Sequence, residues 1–364
     1  MWKTVKLDDI FNFKNGRSFK KTEWKENGLP IIRIQNLNNT NAPFNCFEGD
    51  YDSSIEVNNG DLLFSWSGTV GTSFGAHIWE RDKGVLNQHI FKLTKKREID
   101  TRYAFYCLKH ITKLIEQSVV GAVGIRHVTK KNLVEFEIPL PPLEEQERIV
   151  AKLDAAFAEI ESLNKITSLR KAELAKLKKA LLLKTLSSEK SDLINLGNVC
   201  ELIYGKGLDK IDRLENDGIP AYGANGIKAY STKILSDEPS IIIGRKGSAG
   251  ELTRVSSAFW ALDVTYYTKI NKKLIDLDFL YYTLSSMDLP SMAKGVKPGI
   301  NRNDVYKRLI YLPALEEQKH IVSILDAAYI EIEKVNDSVS KLKNNCDAFK
   351  TAILKEELQS SEAA

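Results

Sequence analysis

The chain has 364 residues and a mass of 41.0 kDa, enough for two or three folded domains. Hydrophobic residues at 43% and charged residues at 27% exclude wholesale disorder. A net charge of +4 is compatible with a polyanionic partner without pointing to one. Cys46, Cys107, Cys200 and Cys346 are dispersed, with no C-x-x-C pair, which argues against a disulfide framework or a zinc site. No apolar run reaches about 18 residues, and the start, MWKTVKLDDIFNFKNG, lacks the apolar core of a signal peptide. The expected location is the cytoplasm.

Residues 1–142 alternate short β-rich runs with Gly, Asn and Asp turns. Strands are predicted at Ile31–Ile34, Asp61–Phe64 and His89–Leu93, and a helix over Thr101–Ser118 with Tyr103, Phe105, Tyr106 and Leu108 in the core. This is the pattern of an α+β domain. Its turns carry groups suited to nucleic acid. Asn15, Arg17 and Lys20 lie in the first turn, and a glycine loop, Ser65–Gly71, contains Trp66, Ser67 and Thr69. The amides of Asn87 and Gln88, beside His89, suit adenine edges. A basic loop, Gly124–Asn132, holds Arg126, His127, Lys130 and Lys131. Any one of these is more often a solvated surface group than a base reader.

A helix is predicted over residues 143–187, opened by Pro141-Pro142 and the acids Glu144, Glu145 and Glu147. Its apolar residues follow a coiled-coil spacing through Ile149, Leu153, Ala156, Ile160 and Leu163. The pattern falters at Thr167 and Arg170 and resumes at Leu174, Leu177 and Leu181. Residues 188–314 form a second α+β domain, with strands at Ser240–Ile243 and Thr265–Ile270 and a helix over Asp276–Met287. Its candidate nucleic-acid contacts are Lys206 and Lys210, then Arg245, Lys246 and Ser248 in the loop Gly244–Gly250, then Lys297, Asn301 and Arg302. Residues 315–358 form the second long helix, with a seam through Ile321, Leu325, Ala328, Ile332, Val335, Val339, Leu342, Cys346, Phe349 and Ile353.

The chain repeats itself. Leu143-Glu144-Glu145-Gln146 recurs as Leu315-Glu316-Glu317-Gln318, 172 positions on, and Leu153-Asp154-Ala155-Ala156 recurs as Leu325-Asp326-Ala327-Ala328 at the same offset. Weaker echoes pair VKLDDIFNFKNGRS from Val5 with INLGNVCELIYGKG from Ile194, and DLLFSWSGTVG from Asp61 with SIIIGRKGSAG from Ser240. Each half is thus a divergent globular part followed by a closely repeated helix of about 60 Å. Seams that long need a partner. Pairing of the two helices within the chain, antiparallel, gives a pseudo-two-fold arrangement; a homodimeric coiled coil, or one helix packed on each domain, are the alternatives.

Several enzymatic signatures are missing. There is no G-x-x-x-x-G-K-[ST] loop, no N-P-P-[YF] and no H-E-x-x-H. Glu23-Trp24-Lys25 is an E-x-K triplet, a pattern too common to indicate a nuclease. No catalytic residue and no metal site is expected.

With these residues in view, LPPLEEQERIVAKLD and LPALEEQKHIVSILD resemble the helices of the specificity (S) subunits of Type I restriction–modification systems, and the glycine loops and GIRHVTKKNL fit the same family. The similarity covers nearly the whole chain; the helical motif is its specific part. The resemblance implies two target recognition domains, 1–142 and 188–314, each reading half of a split site in double-stranded DNA. It implies two conserved spacer helices, 143–187 and 315–358, that set the distance between halves. It also implies docking of two modification (methyltransferase) subunits and of restriction subunits. S-adenosylmethionine, ATP and Mg2+ would serve those partners, with no cofactor held by this chain. Trp66 and Ser67 stand where the second half has Arg245 and Lys246, so the two loops need not act alike. The recognition subunit of a related Type II methylase–nuclease system, or a coiled-coil scaffold that does not read DNA, are the competing readings.

Overall fold

The computed structural model describes residues 2–39, 41–67, 74–119, 130–187, 193–295 and 298–359, with the side chains of 116–119 and 359 excepted. The chain divides into two compact units. Unit 1 is Met1–Thr167 with Lys341–Ala364, and unit 2 is Ser168–Ser340.

In unit 1, β1 (Thr4–Lys6) enters through a short helical turn, α1 (Leu7–Ile10), into β2 (Phe11–Asn15). There follow β3 (Leu29–Ile32), α2 (Ile34–Asn38), β4 (Cys46–Phe47), β5 (Glu56–Val57), β6 (Leu62–Ser65), β7 (Gly75–Ile78), β8 (Gly84–Leu86) and β9 (Ile90–Lys95). Next come α3 (Thr101–Val119), α4 (Lys130–Val134) and β10 (Glu137–Pro139), which closes the domain by pairing antiparallel with β1. The remaining strands form two four-stranded sheets, β2-β9-β6-β7, wholly antiparallel, and β4-β3-β8-β5, in which β3 and β8 run parallel.

The run Leu62-Leu63-Phe64 explains how the sheets share a core. Alternate side chains of a strand face opposite sides, so Leu62 and Phe64 join the core under α3, with Tyr103, Cys107 and Leu108, while Leu63 joins Ile31, Val85 and Leu86 in the second. A strand buried on both faces has to read as a continuous apolar run. Ile34 departs from the predicted strand: the Arg33 N–H is capped by Asn36 Oδ1 at 3.1 Å, and the chain turns into α2.

Unit 2 repeats this plan. β11 (Leu193–Asn195) pairs with β20 (Leu309–Tyr311) as β1 does with β10. Between them lie β12 (Cys200–Tyr204), β13 (Arg213–Leu214), β14 (Ile219–Gly223), β15 (Gly226–Ser231), β16 (Ser240–Gly244), β17 (Leu252–Val255), β18 (Trp260–Ala261) and β19 (Thr265–Ile270). The sheet β12-β19-β16-β17 has the topology of β2-β9-β6-β7. Ile241 and Ile243 face the larger core and Ile242 the smaller. The second sheet keeps the parallel pair, β14 with β18, but flanks it differently, in the order β13-β15-β14-β18. The helices are α6 (Leu277–Ser286), which packs on the sheet β12-β19-β16-β17 as α3 packs on β2-β9-β6-β7 in unit 1, and α7 (Arg302–Tyr306), which corresponds to α4.

Two long helices complete the chain, α5 (Leu143–Leu186) and α8 (Leu315–Gln359). Each contributes its first part to one unit and its remainder to the other. Within unit 1 they run antiparallel, with Lys152 paired to Glu357 and Lys350 over the Phe157 ring. Within unit 2 they do so again, with Lys178 meeting Glu333 at 2.9 Å while Leu182 shares a core with Ile321 and Leu325.

The repeated motif holds each helix to its own domain. Gln146 is 1% exposed; its Oε1 accepts from the Asp100 N–H at 2.8 Å and its Nε2 donates to the Pro141 carbonyl at 2.8 Å. Gln318 does the same with the Asp276 N–H and the carbonyls of Pro313 and Leu274. Asp154 accepts from the Tyr106 hydroxyl and pairs with Arg102, and Asp326 accepts from the Tyr282 hydroxyl beside Arg254.

The seam read from spacing is covered only in part. Ile149, Leu153, Ile160, Ile321, Leu325, Cys346 and Ile353 are buried, and Leu174, Leu181, Ile332 and Val339 are half-buried. Leu163, Leu177, Val335, Leu342 and Phe349 are exposed. Burial is continuous in the domain cores, where Ile353, Leu354 and Leu358 pack with Ile149 and Leu153, and patchy along the rest of the helices, where Ile160, Thr167 and Cys346 are buried among exposed apolar residues.

Candidate nucleic-acid interface

At one edge of unit 1 the chain leaves β2 through Asn15-Gly16-Arg17 and meets the turn between β8 and β9. The Gly16 N–H donates to the Ile90 carbonyl at 3.1 Å, the Arg17 N–H to Leu86 at 3.0 Å, and the Gln88 N–H back to Arg17 at 2.9 Å. Only glycine fits, because a Cβ at position 16 would lie 2.1 Å from the Asn87 carbonyl oxygen. Trp66, just past β6, donates its backbone N–H to the His89 carbonyl at 3.1 Å and its indole Nε1–H to Asn15 Oδ1 at 3.1 Å. Its ring stacks on Phe91 at 5.8 Å. His89 has a φ of 74°, strained for a non-glycine. Its Nδ1 and the Oε1 of Gln88 are buried with no hydrogen-bond partner among the described residues. Such atoms are rare, since each costs about 1–3 kcal/mol.

Unit 2 rebuilds the backbone contacts that Gly16, Arg17 and Trp66 make at this edge. The Gly205 N–H donates to Thr265 at 3.1 Å and the Lys206 N–H to Ala261 at 2.8 Å, and a Cβ at position 205 would lie 2.1 Å from the Leu262 carbonyl oxygen. Arg245 takes the place of Trp66: its backbone N–H donates to the Val264 carbonyl at 2.8 Å. Its guanidinium donates to the Asp263 carbonyl at 2.7 Å and lies 5.3 Å from the Tyr204 ring, and its buried Nε has no partner among the described residues. Arg302, on α7, lies 4.9 Å from the same ring and donates to the Leu202 carbonyl at 3.2 Å. Lys130 makes the corresponding bond in unit 1, to Phe13 at 3.1 Å. The glycine loop is braced by the segment before α7, where the Ile300 N–H donates to the Arg245 carbonyl at 3.0 Å and Lys246 bridges to Gly299. Burial, then the neighbouring Tyr204 hydroxyl, push Tyr266 up to about 12, so it stays a neutral donor, to the Ile300 carbonyl at 3.0 Å.

The structure therefore gathers Arg17, Trp66, Asn87, Gln88 and Lys130 at one edge, and Lys206, Arg245, Lys246 and Arg302 at the other. Ser67 follows Trp66. Ser248 turns its carbonyl towards Gly244, where a Cβ would lie 2.1 Å from it, and Asn301 caps α7 by accepting from the Asn303 N–H at 2.9 Å. Arg17 is turned inward: it pairs with Glu23 at 2.9 Å and lies over the rings of Phe19 and Phe47. Lys20 and Lys131 are exposed, Lys20 beginning the next turn and Lys131 lying on α4. Lys210 lies apart from the edge, in a groove with Arg213 and Lys228. Thr69, Arg126, His127 and Lys297 lie outside the described residues. Tyr204 was missed by sequence reasoning; the signal was there, since it precedes Gly205 as Asn15 precedes Gly16 in the aligned repeat. Among the described residues no group of three or more His, Cys, Asp or Glu could hold a metal, and no helix is long and apolar enough to cross a membrane.

Chemically the two edges differ. The first offers amides, an indole and an imidazole, and the second guanidinium groups held against a tyrosine. Amides pair with adenine edges and guanidinium with guanine edges or phosphate.

Two solved structures share the fold, each at 18% identity. One is a chain from a structural study of complex assembly and conformational transition in the type I R-M system, with a TM-score of 0.80 over 98% of this chain and 97% of that one. The other is the HsdS subunit from Thermoanaerobacter tengcongensis, with a TM-score of 0.59 over 99% and 97%. The Type I restriction enzyme EcoBI specificity subunit of Escherichia coli is 25% identical over 94% of this chain and 83% of its own length. The MjaVIII specificity subunit of Methanocaldococcus jannaschii is 27% identical over 94% and 90%. The family model for the Type I restriction modification DNA specificity domain matches residues 1–171 and again residues 188–343, and the chain belongs to that family, carrying its domain twice.

Proposed function

We propose that this chain is the DNA-reading, non-catalytic subunit of a Type I restriction–modification complex, in which each unit reads one half of a split site in double-stranded DNA. The observation that carries this reading is the edge built twice from the same backbone contacts and different side chains. A repeated frame with exchanged faces is what recognition of two unlike half-sites requires, since phosphate contacts position a protein and base contacts specify. Two modules on one chain raise each other's effective concentration on the DNA.

The long helices take the spacer role in this proposal. Their exposed apolar residues, among them Leu163, Leu177 and Val335, are candidates for contact with two methyltransferase subunits. Methyl transfer and cleavage, with S-adenosylmethionine, ATP and Mg2+, belong to the methyltransferase and restriction subunits, and the complex works in the cytoplasm. The test is single-molecule methylome sequencing of a host carrying this chain with its cognate methyltransferase, against a host lacking the chain. Methyladenine at one split motif, lost without the chain, is the expected result. No chain-dependent motif, with the methyltransferase present and folded, would overturn the proposal.

A further inference from the structure

In unit 2 the contacts around Tyr204, the last residue of β12, form a closed circuit. The Arg245 guanidinium lies 5.3 Å from the Tyr204 ring, and that ring meets the Tyr266 ring edge-on at 5.0 Å. The Tyr266 hydroxyl donates to the Ile300 carbonyl at 3.0 Å, and the Ile300 N–H donates to the Arg245 carbonyl at 3.0 Å. Tyr266 is 2% exposed and anchors the circuit in the core, whereas Tyr204 is 46% exposed. Arg302 joins from α7: its guanidinium lies 4.9 Å from the Tyr204 ring and donates to the carbonyl of Leu202, two residues earlier on β12. Neither arginine has a carboxylate partner among the described residues.

Two guanidinium groups on one ring repel each other, and the negative face of the ring offsets part of that repulsion. A base edge is read through paired hydrogen bonds, which need the donor fork held in one plane. For Arg245 the Asp263 carbonyl, 2.7 Å from its Nη2, and the Tyr204 ring supply that restraint. Unit 1 meets the same need by other means. Asn15, the last residue of β2, stands in the place of Tyr204, and its Oδ1 accepts from the Trp66 indole at 3.1 Å. In each unit the residue just before Gly16 or Gly205 holds the residue that follows β6 or β16. The hold is a hydrogen-bond acceptor where the held group is an indole, and a ring face where it is a guanidinium. Holder and held differ together between the two copies.

We propose that Tyr204 is a positioning residue for DNA reading by unit 2: it acts on specificity through Arg245, whose guanidinium its ring keeps in the orientation in which a base edge is read. This role rests on the DNA-reading function proposed above, and it divides the edge into a group that reads and a group that holds the reader. A reader without its holder is present but slack, and a slack fork discriminates poorly.

The complex of the full chain with its cognate methyltransferase is assayed on a duplex carrying the methylated motif and on duplexes carrying each single base-pair change in the unit 2 half-site. The readout is the ratio of the rate on the motif to the rate on the changed duplex. Arg245→Ala identifies the base pair that Arg245 reads. Tyr204→Leu is expected to lower the ratio at that base pair about threefold, the scale of one cation–π contact, and Tyr204→Phe, which keeps the ring, to leave it as in wild type. Tyr204→Asn, which carries the unit 1 residue, serves as a second variant without a ring face and is expected to behave as Tyr204→Leu does. Added to Arg245→Ala, Tyr204→Leu is expected to change the ratio no further, since the group it positions is gone. A merely structural role would lower the rate on every duplex and leave the ratio alone. The proposal is overturned if Tyr204→Leu and Tyr204→Asn keep the wild-type ratio, if Tyr204→Leu lowers it equally with and without Arg245, or if Arg245→Ala relaxes no base pair. Failure of the DNA-reading function appears separately, as a wild-type complex that methylates no split motif.

Discussion

Trp66 and Arg245 occupy one place in two copies of a fold. Each follows the strand that faces both cores of its domain, β6 or β16, donates its backbone N–H to the turn before β9 or β19, and lies against the residue that ends β2 or β12. The backbone there is fixed by a glycine jammed against a carbonyl in both units, Gly16 and Gly205. What changes is the chemistry on display: an indole held by an asparagine in one unit, a guanidinium held against a tyrosine in the other. The comparison separates the parts of a recognition module that must stay from those free to vary, without recourse to any other protein.

Breaking the shared part has the largest expected effect. Gly16→Val and Gly205→Val each force a side chain into a backbone oxygen 2.1 Å from the Cβ position, and each is expected to destabilise its unit by about 3 kcal/mol or more. Denaturant unfolding followed by tryptophan fluorescence checks this, with Trp260, the one tryptophan of unit 2, donating to the Lys206 carbonyl beside the altered glycine. A large loss in one unit and none in the other would break the equivalence. Next are Gln146→Ala and Gln318→Ala, expected to cost about 2–3 kcal/mol each, because the Asp100 or Asp276 N–H is left without its acceptor. Matching shifts in the denaturation midpoint would support the latch in both units.

Arg245→Ala sharpens the contrast between the edges. It is expected to weaken discrimination at one base pair by about 2 kcal/mol, in the half-site read by unit 2 alone. Trp66→Ala should leave that half-site untouched. The methylated motif of each variant gives the answer, and relaxation in both half-sites would contradict separate reading.

The smallest expected effect is one of pH. His77, at about 4 when folded against 6.5 for a free imidazole, is half-buried and neutral. Between those values the unfolded chain binds a proton that the folded chain refuses, so unit 1 loses stability as pH falls from 6.5 to 4, by about 1 kcal/mol. Thr253 stands at the matching register position in β17. His77→Thr should flatten the pH dependence of unit 1 over this window, measured by thermal melts, and leave that of unit 2 as it was.

The repeat, the α+β character and the long helices were legible in the sequence because the matched residues make buried contacts that tolerate little change. Gln146 and Gln318 satisfy backbone groups, and Leu153 and Leu325 are fully buried. Spacing also showed which residues share a helix face, but not whether that face is covered. Leu163, Leu177 and Phe349 keep the period and stand exposed, because burial is continuous only in the domain cores. At the edge, Arg245 and Trp66 could be picked from their loops, whereas Arg17 could not be ruled out. Its diversion to Glu23, Phe19 and Phe47 depends on residues brought together only by folding. Unpartnered atoms such as Gln88 Oε1 are a property of packing and leave no trace in residue order.

The last turns of α8 bury Ile353, Leu354 and Leu358 in the core of the first domain. On the ribosome, therefore, residues 1–167 emerge well before the wall that seals them, and the first domain stays open until translation has passed residue 358. A chain cut short anywhere in its second half lacks Ile353, Leu354 and Leu358 and leaves the first core without that wall. The first domain is thus completed only by residues that lie beyond the second in the chain.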